Sequence, residues 1–463
     1  MATQEDVNTT PVSLEKVEVF GADAYSPEYI QSIIKPLLQA ETQSVGDIVT
    51  EGNKVVRQLT YLGGFTDAKL QFDVDAKAGE KYDELNQKQV NIVGKIDLTP
   101  LKQSNLSISS VHNELGNALR AGYLNRNVLG NGENLGIDFA LNLFNNSKTF
   151  DALLSKPLAD TSYRAFGHIN VSKTEESLFQ SKSQDATSAE LGVTKQKFCK
   201  HSGALTTAST GLNLVRRNIN HIDDSANDEV KMYAGDSQKE SLFFNVISSN
   251  MKYLTTSDCT LPLEGHTISI TNELAGFPSL IESLGQDKSL EEITADGKDQ
   301  FFKLGLGLDM AKSFFGNSVT FSSNLKCGSI INFAALQGNT INFQDKFYPA
   351  VSGYALPIAP QHAVGAGSFA SYNIGISTKA GLMSADRPLR MYTSLNGASS
   401  TNELDGLSLG QLKSLTNDWK HGVEVGFLYS TGDANAKLFW KRPLAGKNDI
   451  GKVGFEVDIA GNW

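Results

Sequence analysis

The residue types that could carry out chemistry are scattered along this chain of 463 residues rather than grouped. Its seven histidines show no HxH or HExxH spacing, and Cys199, Cys259 and Cys327 form no CxxC pair. This arrangement argues against a zinc site and against a disulfide framework. The sequence also contains no GxSxG elbow, Walker loop or strand-anchored GxGxxG. We therefore expect a protein that is not an enzyme and that binds no metal or cofactor.

The charge balance and hydropathy narrow the possible partners. Asp and Glu total 51 against 41 Lys and Arg, for a net charge of −10, so we expect no nucleic-acid binding. No stretch approaches the roughly 18–20 apolar residues of a spanning helix. A transmembrane β-barrel is not excluded, because its strands alternate apolar and polar residues. The polar, acidic N-terminus lacks the features of a secretory signal or a mitochondrial presequence. We expect a chain made in the cytosol that keeps its N-terminus.

The first hundred residues mix strands and helices. A strand-like run around Leu14–Val19 is followed by a helix start at Ser26-Pro27, with Ser at the cap and Pro in the first turn. A second helix is predicted from about Val45 to Leu62, and two strands follow it. We predict a flexible tail over 1–12 and a compact domain of order β-α-α-β-β over 13–100.

After Pro100 the sequence alternates between apolar and polar residues. Examples are Leu135 to Leu143, Phe302 to Met310 and Val423 to Tyr429. The alternation predicts fourteen to seventeen strands, many of them long enough to cross a bilayer when tilted. Because Gly, Asp, Asn and Lys occupy the polar face, we predict a water-filled barrel over 101–463. A soluble β-rich carrier remains the alternative, although its strands are typically shorter.

The C-terminal stretch from Lys452 to Ile459 is an alternating strand of the pattern polar-x-Gly-x-x-apolar-x-apolar. Its glycine permits the close approach of a partner strand. The candidate residues of this last strand are Lys452, Gly454, Val457 and Ile459. In a closed barrel this strand pairs with the first one, for which the candidates are Leu106, Ser107, Ile108, Ser109, Ser110 and Val111.

With these features the chain resembles the channel subunit of the mitochondrial sorting and assembly machinery (the SAM or TOB complex), a BamA-like outer-membrane protein assembly factor. That family has one POTRA domain of order β-α-α-β-β followed by sixteen strands. Local matches are the turns at Asn127–Gly130 and Ser257–Gly265, the strand end at Asn272–Gly276, and Lys346-Phe347-Tyr348, which opens a long inward-folding loop after the eleventh strand. The resemblance implies an all-β transmembrane barrel of about 16 antiparallel strands preceded by one small α+β POTRA domain.

The inward loop also departs from the family. The family motif Ile/Val-Arg-Gly-Phe corresponds here to Val351, Ser352, Gly353 and Tyr354, and the acid that normally pairs with the arginine falls at Gly367. Both members of the expected ion pair are therefore missing together, which avoids leaving one buried charge unpaired. We expect a loop that still folds inward, held by Tyr354 and backbone contacts rather than by an ion pair.

The resemblance further implies a role and a set of partners. The role is the folding and insertion of β-barrel precursors into the mitochondrial outer membrane, with the POTRA domain in the intermembrane space. A lateral gate between the first and last strands would expose strand edges on which the precursor pairs. The implied partners are precursor proteins, intermembrane-space chaperones, peripheral subunits on the cytosolic face, in fungi an additional barrel protein, and the lipid bilayer. A passive outer-membrane pore for metabolites or proteins is the alternative function.

Overall fold

The structure is a computed structural model. It describes residues 10–38, 43–74, 81–82, 88–113, 116–143, 146–176, 182–199, 202–222, 224, 226, 228–256, 259–276, 300–333, 341–349, 365–380, 388–401, 415, 419–430, 434–444 and 452–462. Its contacts divide the chain into two compact units. One unit contains Met1–Asn105, Tyr123–Gly136 and Leu153–Phe166, and the other contains Leu106–Gly122, Ile137–Ala152 and Gly167–Trp463.

The N-terminal part of the first unit is a small α+β domain. Its elements are β1 (Pro11–Phe20), α1 (Pro27–Leu38), β2 (Gln43–Ser44), α2 (Val45–Tyr61), β3 (Phe65–Val74), β4 (Lys81–Tyr82) and β5 (Lys88–Pro100). The sheet order is β2-β1-β5-β3, with β4 also on β5. β1 runs parallel to β5, and β3 runs antiparallel to it. Compared with the predicted β-α-α-β-β order, the described residues of this domain add the two-residue strands β2 and β4.

Both helices form where the sequence predicts them. α1 begins at Pro27 and buries a one-sided stripe of Ile30, Ile33, Ile34 and Leu37 against the sheet. α2 begins with a capping box at its N-terminus. The Ser44 hydroxyl accepts a hydrogen bond from the Asp47 amide, and the Asp47 carboxylate accepts one from the Ser44 amide. Gly63 follows with φ +71°, a conformation that glycine adopts without strain.

Two turns between barrel strands belong to the same unit as this domain, residues 127–133 and residues 158–162, which we call the rim turns. Arg164 is buried beside them and donates to the carbonyl oxygens of Leu62 (3.3 Å) and Gly132 (2.8 Å). Thr161 donates to the Gln58 carbonyl oxygen at 2.8 Å. The Ser26 amide likewise donates to the carbonyl oxygen of Gly130 at 2.8 Å. Both helices of the domain are therefore joined to the rim turns by hydrogen bonds.

The remaining strands form a closed barrel, and their registers, where described, are antiparallel. They are β6 (Ser104–Asn113), β7 (Gly116–Arg126), β8 (Asn134–Asn142), β9 (Lys148–Pro157), β10 (Tyr163–Glu176), β11 (Lys182–Cys199), β12 (Ala204–Ile222), β13 (Gly235–Ser249), β14 (Lys252–Thr256), β15 (Cys259–Ala275), β16 (Phe301–Phe314), β17 (Val319–Asn332), β18 (Ser368–Lys379), β19 (Leu389–Thr401), β20 (Lys420–Ser430), β21 (Ala434–Pro443) and β22 (Lys452–Asn462). A short helix α3 (Asp228–Met232) lies between β12 and β13. Because β13 pairs directly with β15, and β14 only extends that hairpin, the ring has sixteen strands, as predicted.

The predicted alternation is present in the strands. On β16, Leu306 and Met310 are exposed on the outer face, while Lys303 and Asp309 face the interior. The predicted turn at Asn127–Gly130 is confirmed, with positive φ at both ends. The turn predicted over Ser257–Gly265 is wrong for most of its length, because β15 already begins at Cys259 and pairs with β14. In the described residues no helix is long and apolar enough to span a membrane.

Candidate functional site

The seam of the barrel joins the first strand, β6, to the last, β22. Among the described residues six pairs are in register, from Val457 opposite His112 to Asn462 opposite Ser107. Predicted residues of both strands meet here, since Ser110 lies opposite Ile459. By comparison, β21 and β22 pair over eight residues and β11 and β12 over eighteen. The described seam is therefore shorter than the pairing of β22 with β21 on its other edge.

The two seam strands are offset from each other. The seam register ends at Val457, so the first five residues of β22, Lys452–Glu456, lie beyond it. Their other edge pairs with β21, from Lys441 opposite Lys452 to Lys437 opposite Glu456. Within this stretch Val453 and Phe455 are 74% and 59% exposed, while Gly454 is buried. The predicted residues Lys452 and Gly454 thus belong to β22 but lie beyond the seam pairs of the described residues.

The second part of the site is the connection between β17 and β18, the eleventh and twelfth strands of the ring, where an inward loop is predicted. The predicted motif Val351, Ser352, Gly353 and Tyr354 lies outside the described residues. Residues 341–349 are described and contain a 3-10 helix, Phe343–Asp345. We call residues 341–349 the loop segment.

A charged cluster on the barrel wall holds the loop segment. Arg217 on β12 donates two hydrogen bonds of 2.8 Å, one to each carboxylate oxygen of Asp345. Lys239 on β13 lies 2.7 Å from the same carboxylate and 2.6 Å from Glu273 on β15. Lys303 on β16 donates to the Asp345 backbone carbonyl oxygen at 2.7 Å. One loop residue is therefore bound by cations from three strands.

Apolar contacts surround this cluster. Phe343 is fully buried against Ile219 and Val230, and Ile341 packs with Phe301 and Ile330. The Phe347 ring lies 4.8 Å from the ring of Phe369, and its backbone forms a two-hydrogen-bond bridge with Ala366. Lys182 and Lys303 lie over the faces of Phe343 (4.7 Å) and Phe347 (4.6 Å). The loop segment thus packs against the interior of the barrel wall.

The electrostatics of Asp345 follow from this setting. Its side chain is 3% exposed, and burial alone raises the pKa of a carboxyl group. The neighbouring Lys239 and the paired Arg217 outweigh that effect and hold the pKa of Asp345 well below its ordinary value. The expectation of a loop held without an ion pair is therefore wrong for the described segment, because an acid on the loop pairs with cations on the wall.

The sequence prediction missed Arg217, Lys239, Lys303 and Asp345. For the three cations the sequence did contain a signal, because each occupies a position of its alternating strand whose side chain points into the barrel. Asp345 directly precedes the Lys346-Phe347-Tyr348 match to the family loop. Among the described residues no group of three or more His, Cys, Asp and Glu could hold a metal ion.

Known proteins are similar to this chain both in sequence and in fold. A SAM50-like protein of Schizosaccharomyces pombe is 22% identical over 466 residues, covering 97% of this chain and 90% of the relative. No family model matches the sequence. The structure of BamA from Haemophilus ducreyi lacking POTRA domains 1–3 matches with a TM-score of 0.66 at 11% identity, covering 98% of this chain and 85% of that one.

A further structural match is CdiB from Acinetobacter baumannii, with a TM-score of 0.58 at 12% identity over 97% of this chain and 74% of that one. At such identities the structural matches establish the fold, while the S. pombe relative extends the likeness to the sequence along almost the whole chain. The resemblance found in the sequence is confirmed: this chain is similar in sequence to a SAM50-like protein, and its barrel has the fold of BamA.

Proposed function

We propose that this protein folds β-barrel precursors and inserts them into the mitochondrial outer membrane through a lateral gate between β6 and β22. The observation that carries the proposal is the short seam, in which six pairs join the strands and Lys452–Glu456 lie beyond the register. The likeness to a SAM50-like protein and to BamA supports an assembly role. The α+β domain would be the POTRA domain, because the BamA match covers 98% of this chain and therefore includes it. In the proposed role this domain lies on the intermembrane-space side.

The proposed mechanism follows from backbone hydrogen bonding. In hydrocarbon each unsatisfied N–H or C=O group costs several kcal/mol, so an opened strand edge favours any strand that pairs with it. Separating β6 from β22 requires the loss of six residue pairs, and the incoming strand of a precursor restores those hydrogen bonds. Successive hairpins add in the same way until the new barrel closes on itself. The scheme needs no nucleotide and no covalent step.

A disulfide lock across the seam tests this mechanism. The variant carries Ser109→Cys and Ala460→Cys, which are register partners, with Cys199, Cys259 and Cys327 changed to Ser. The matched control joins two small register partners on interior strands, through Ser371→Cys and Ala398→Cys on β18 and β19. Both are reconstituted in liposomes, and the folding of a mitochondrial metabolite-pore precursor is followed by its protease protection.

We expect the oxidised seam variant to fold no precursor and to regain activity when reduced, while the oxidised control stays active. Normal folding by a fully oxidised seam variant would show that the β6–β22 joint is not the gate. If the cysteine-free parent folds no precursor but conducts ions across the liposome membrane, the passive pore is the correct function instead.

A further inference from the structure

The ion pair between the loop segment and the barrel wall has the opposite polarity to the one that the family resemblance implies. The expected arrangement is an arginine on the loop and an acid on the wall, but Ser352 and Gly367 occupy those two positions. In this structure the acid, Asp345, is on the loop and the cations, Arg217, Lys239 and Lys303, are on the wall. We propose that Asp345 is the residue that positions the loop segment against the barrel wall, through this reversed ion pair.

The geometry favours a positioning role over an incidental contact. A bidentate arginine–carboxylate pair fixes the orientation of both groups as well as their separation. Arg217 and Asp345 are 12% and 3% exposed, so water cannot readily replace either partner. Release of the loop would leave Arg217 without this carboxylate, whereas Lys239 would keep Glu273. The loop segment is therefore the part of the structure that completes the charge balance of this region of the wall.

Apolar packing alone does not define one position for the loop segment, because aromatic side chains can slide on an apolar wall. At Gly328 the wall lets the Phe347 ring approach closely, since a Cβ atom there would lie 2.6 Å from the ring. This close approach favours one position of the ring. Phe347 is two residues after Asp345, so the ion pair and this close approach act on the same short segment. Together they set both the depth and the rotation of the loop segment against the wall.

The chain contains a matched control for this ion pair. Arg216 lies next to Arg217 on β12 but points to the opposite face, where it pairs with Asp236 of β13 at 2.8 Å. That pair is exposed, with side chains 66% and 47% accessible. It is also a bidentate arginine–carboxylate pair, but it joins β12 to β13 rather than to the loop segment.

The test measures the position of the loop directly. Gln344 donates a hydrogen bond to Gln184 on β11, so Gln344→Cys and Gln184→Cys report whether the loop segment is seated. A short thiol-reactive cross-linker is applied to the full-length chain in liposomes after Cys199, Cys259 and Cys327 are changed to Ser. The variants are Asp345→Arg, the double reversal Asp345→Arg with Arg217→Asp, and the control Asp236→Arg.

We expect Asp345→Arg to lose most of the cross-link, because it adds a fourth cation to the cluster, and the double reversal to recover it. The control should cross-link like the parent. An unchanged yield in Asp345→Arg would overturn the proposal. So would a double reversal that remains uncross-linked although its heat-resistant barrel mobility on gels shows that it is folded.

The consequence for precursor folding rests on the proposed function, and the same variants separate the two ideas. If the loop position matters for assembly, precursor folding should fall in Asp345→Arg and return in the double reversal. Suppose that the cross-link yield falls in Asp345→Arg and recovers in the double reversal, while the parent folds no precursor. The positioning role then stands and the proposed function fails. Suppose instead that the parent folds precursors normally and the cross-link yield is the same in Asp345→Arg as in the parent. The positioning role then fails and the proposed function stands.

Discussion

Arg217 and Asp345 are 128 positions apart in the sequence and meet through two parallel hydrogen bonds of 2.8 Å. The arginine is on a wall strand and the aspartate is on the connection that folds against it. Their pairing therefore ties the seventh strand of the ring to the segment that follows the eleventh. Both groups are largely buried, and Asp345 is paired with Lys239 as well as with Arg217.

The first prediction concerns stability. Removing one partner of a buried ion pair leaves the other charge uncompensated, which typically costs about 3–5 kcal/mol. In Arg217→Gln the Asp345 carboxylate keeps Lys239, so the free energy of unfolding should fall by less than that, by about 1.5–3 kcal/mol, the range for a hydrogen bond to a charged group. Urea unfolding in detergent micelles measures it. Arg216→Gln, on the neighbouring exposed pair, should change it far less. Equal effects of the two substitutions would show that the buried pair contributes no more to the free energy of unfolding than the exposed pair.

The second prediction concerns pH. A carboxyl group whose pKa is depressed in the folded state contributes stability above its unfolded pKa of about 3.9 and loses it as the pH falls through the folded pKa. Since the pKa of Asp345 is well below ordinary, the stability difference between the parent and Asp345→Asn should stay constant from about pH 8 to pH 5. It should shrink only in more acidic solution.

Urea midpoints of both chains at each pH provide the measurement for Asp345. The comparison with Asp345→Asn removes the titration of all other groups, since both chains share them. A difference that declined between pH 8 and pH 6 would mean that the aspartate is not held by Arg217 and Lys239 as the geometry indicates.

The sequence was sufficient to predict elements whose signals are local. Alternation predicted the barrel strands, and Ser26-Pro27 predicted the start of α1, because the residues responsible are adjacent in the chain. The Asp345 cluster could not be predicted in this way, because it assembles only when β12, β13, β15 and β16 are neighbours and the loop segment lies across them. An inward lysine such as Lys239 looks in the sequence like any residue facing a wet lumen.

The seam shows the same limit. The sequence predicted that the first and last strands pair, and both contain the expected residues. Their offset depends on register, which alternation fixes only to within two residues. When a strand shifts by two residues against its neighbour, every side chain stays on the same face of the sheet. The alternation therefore could not predict that Lys452–Glu456 extend beyond the seam.

The third prediction concerns Arg164, which joins the α+β domain to the rim turns. Its guanidinium group donates to the carbonyl oxygens of Leu62 and Gly132 and to the Ser155 hydroxyl. Hydrogen bonds from charged groups contribute about 1.5–3 kcal/mol each, so Arg164→Ala should loosen these contacts markedly. Hydrogen exchange of the amides in residues 58–62 and 127–133 should accelerate.

Arg126 provides the comparison for Arg164. It donates a hydrogen bond to the Lys102 carbonyl oxygen at 3.0 Å but is not buried. Arg126→Ala should leave exchange in residues 58–62 unchanged. If Arg164→Ala also left it unchanged, the buried guanidinium would not be what holds the α+β domain to the rim turns.

The last prediction concerns the seam in the protein without any substitution. Local opening frees the amides of a strand pair together, and the free energy of opening grows with the number of pairs that must separate. Six pairs join β22 to β6, whereas eighteen join β11 to β12. In each seam strand every second amide points to the seam, and the others point to β7 or β21. In lipid nanodiscs the seam-facing amides of residues 107–112 and 457–462 should therefore exchange faster than the amides in the middle of β11, around Leu191 to Lys195. Oxidising the Ser109→Cys and Ala460→Cys pair should slow the seam amides and leave β11 unaffected. Seam amides as protected as those of β11 in the unlocked protein would mean that the short register does not open, and the proposed gate would lose its physical basis.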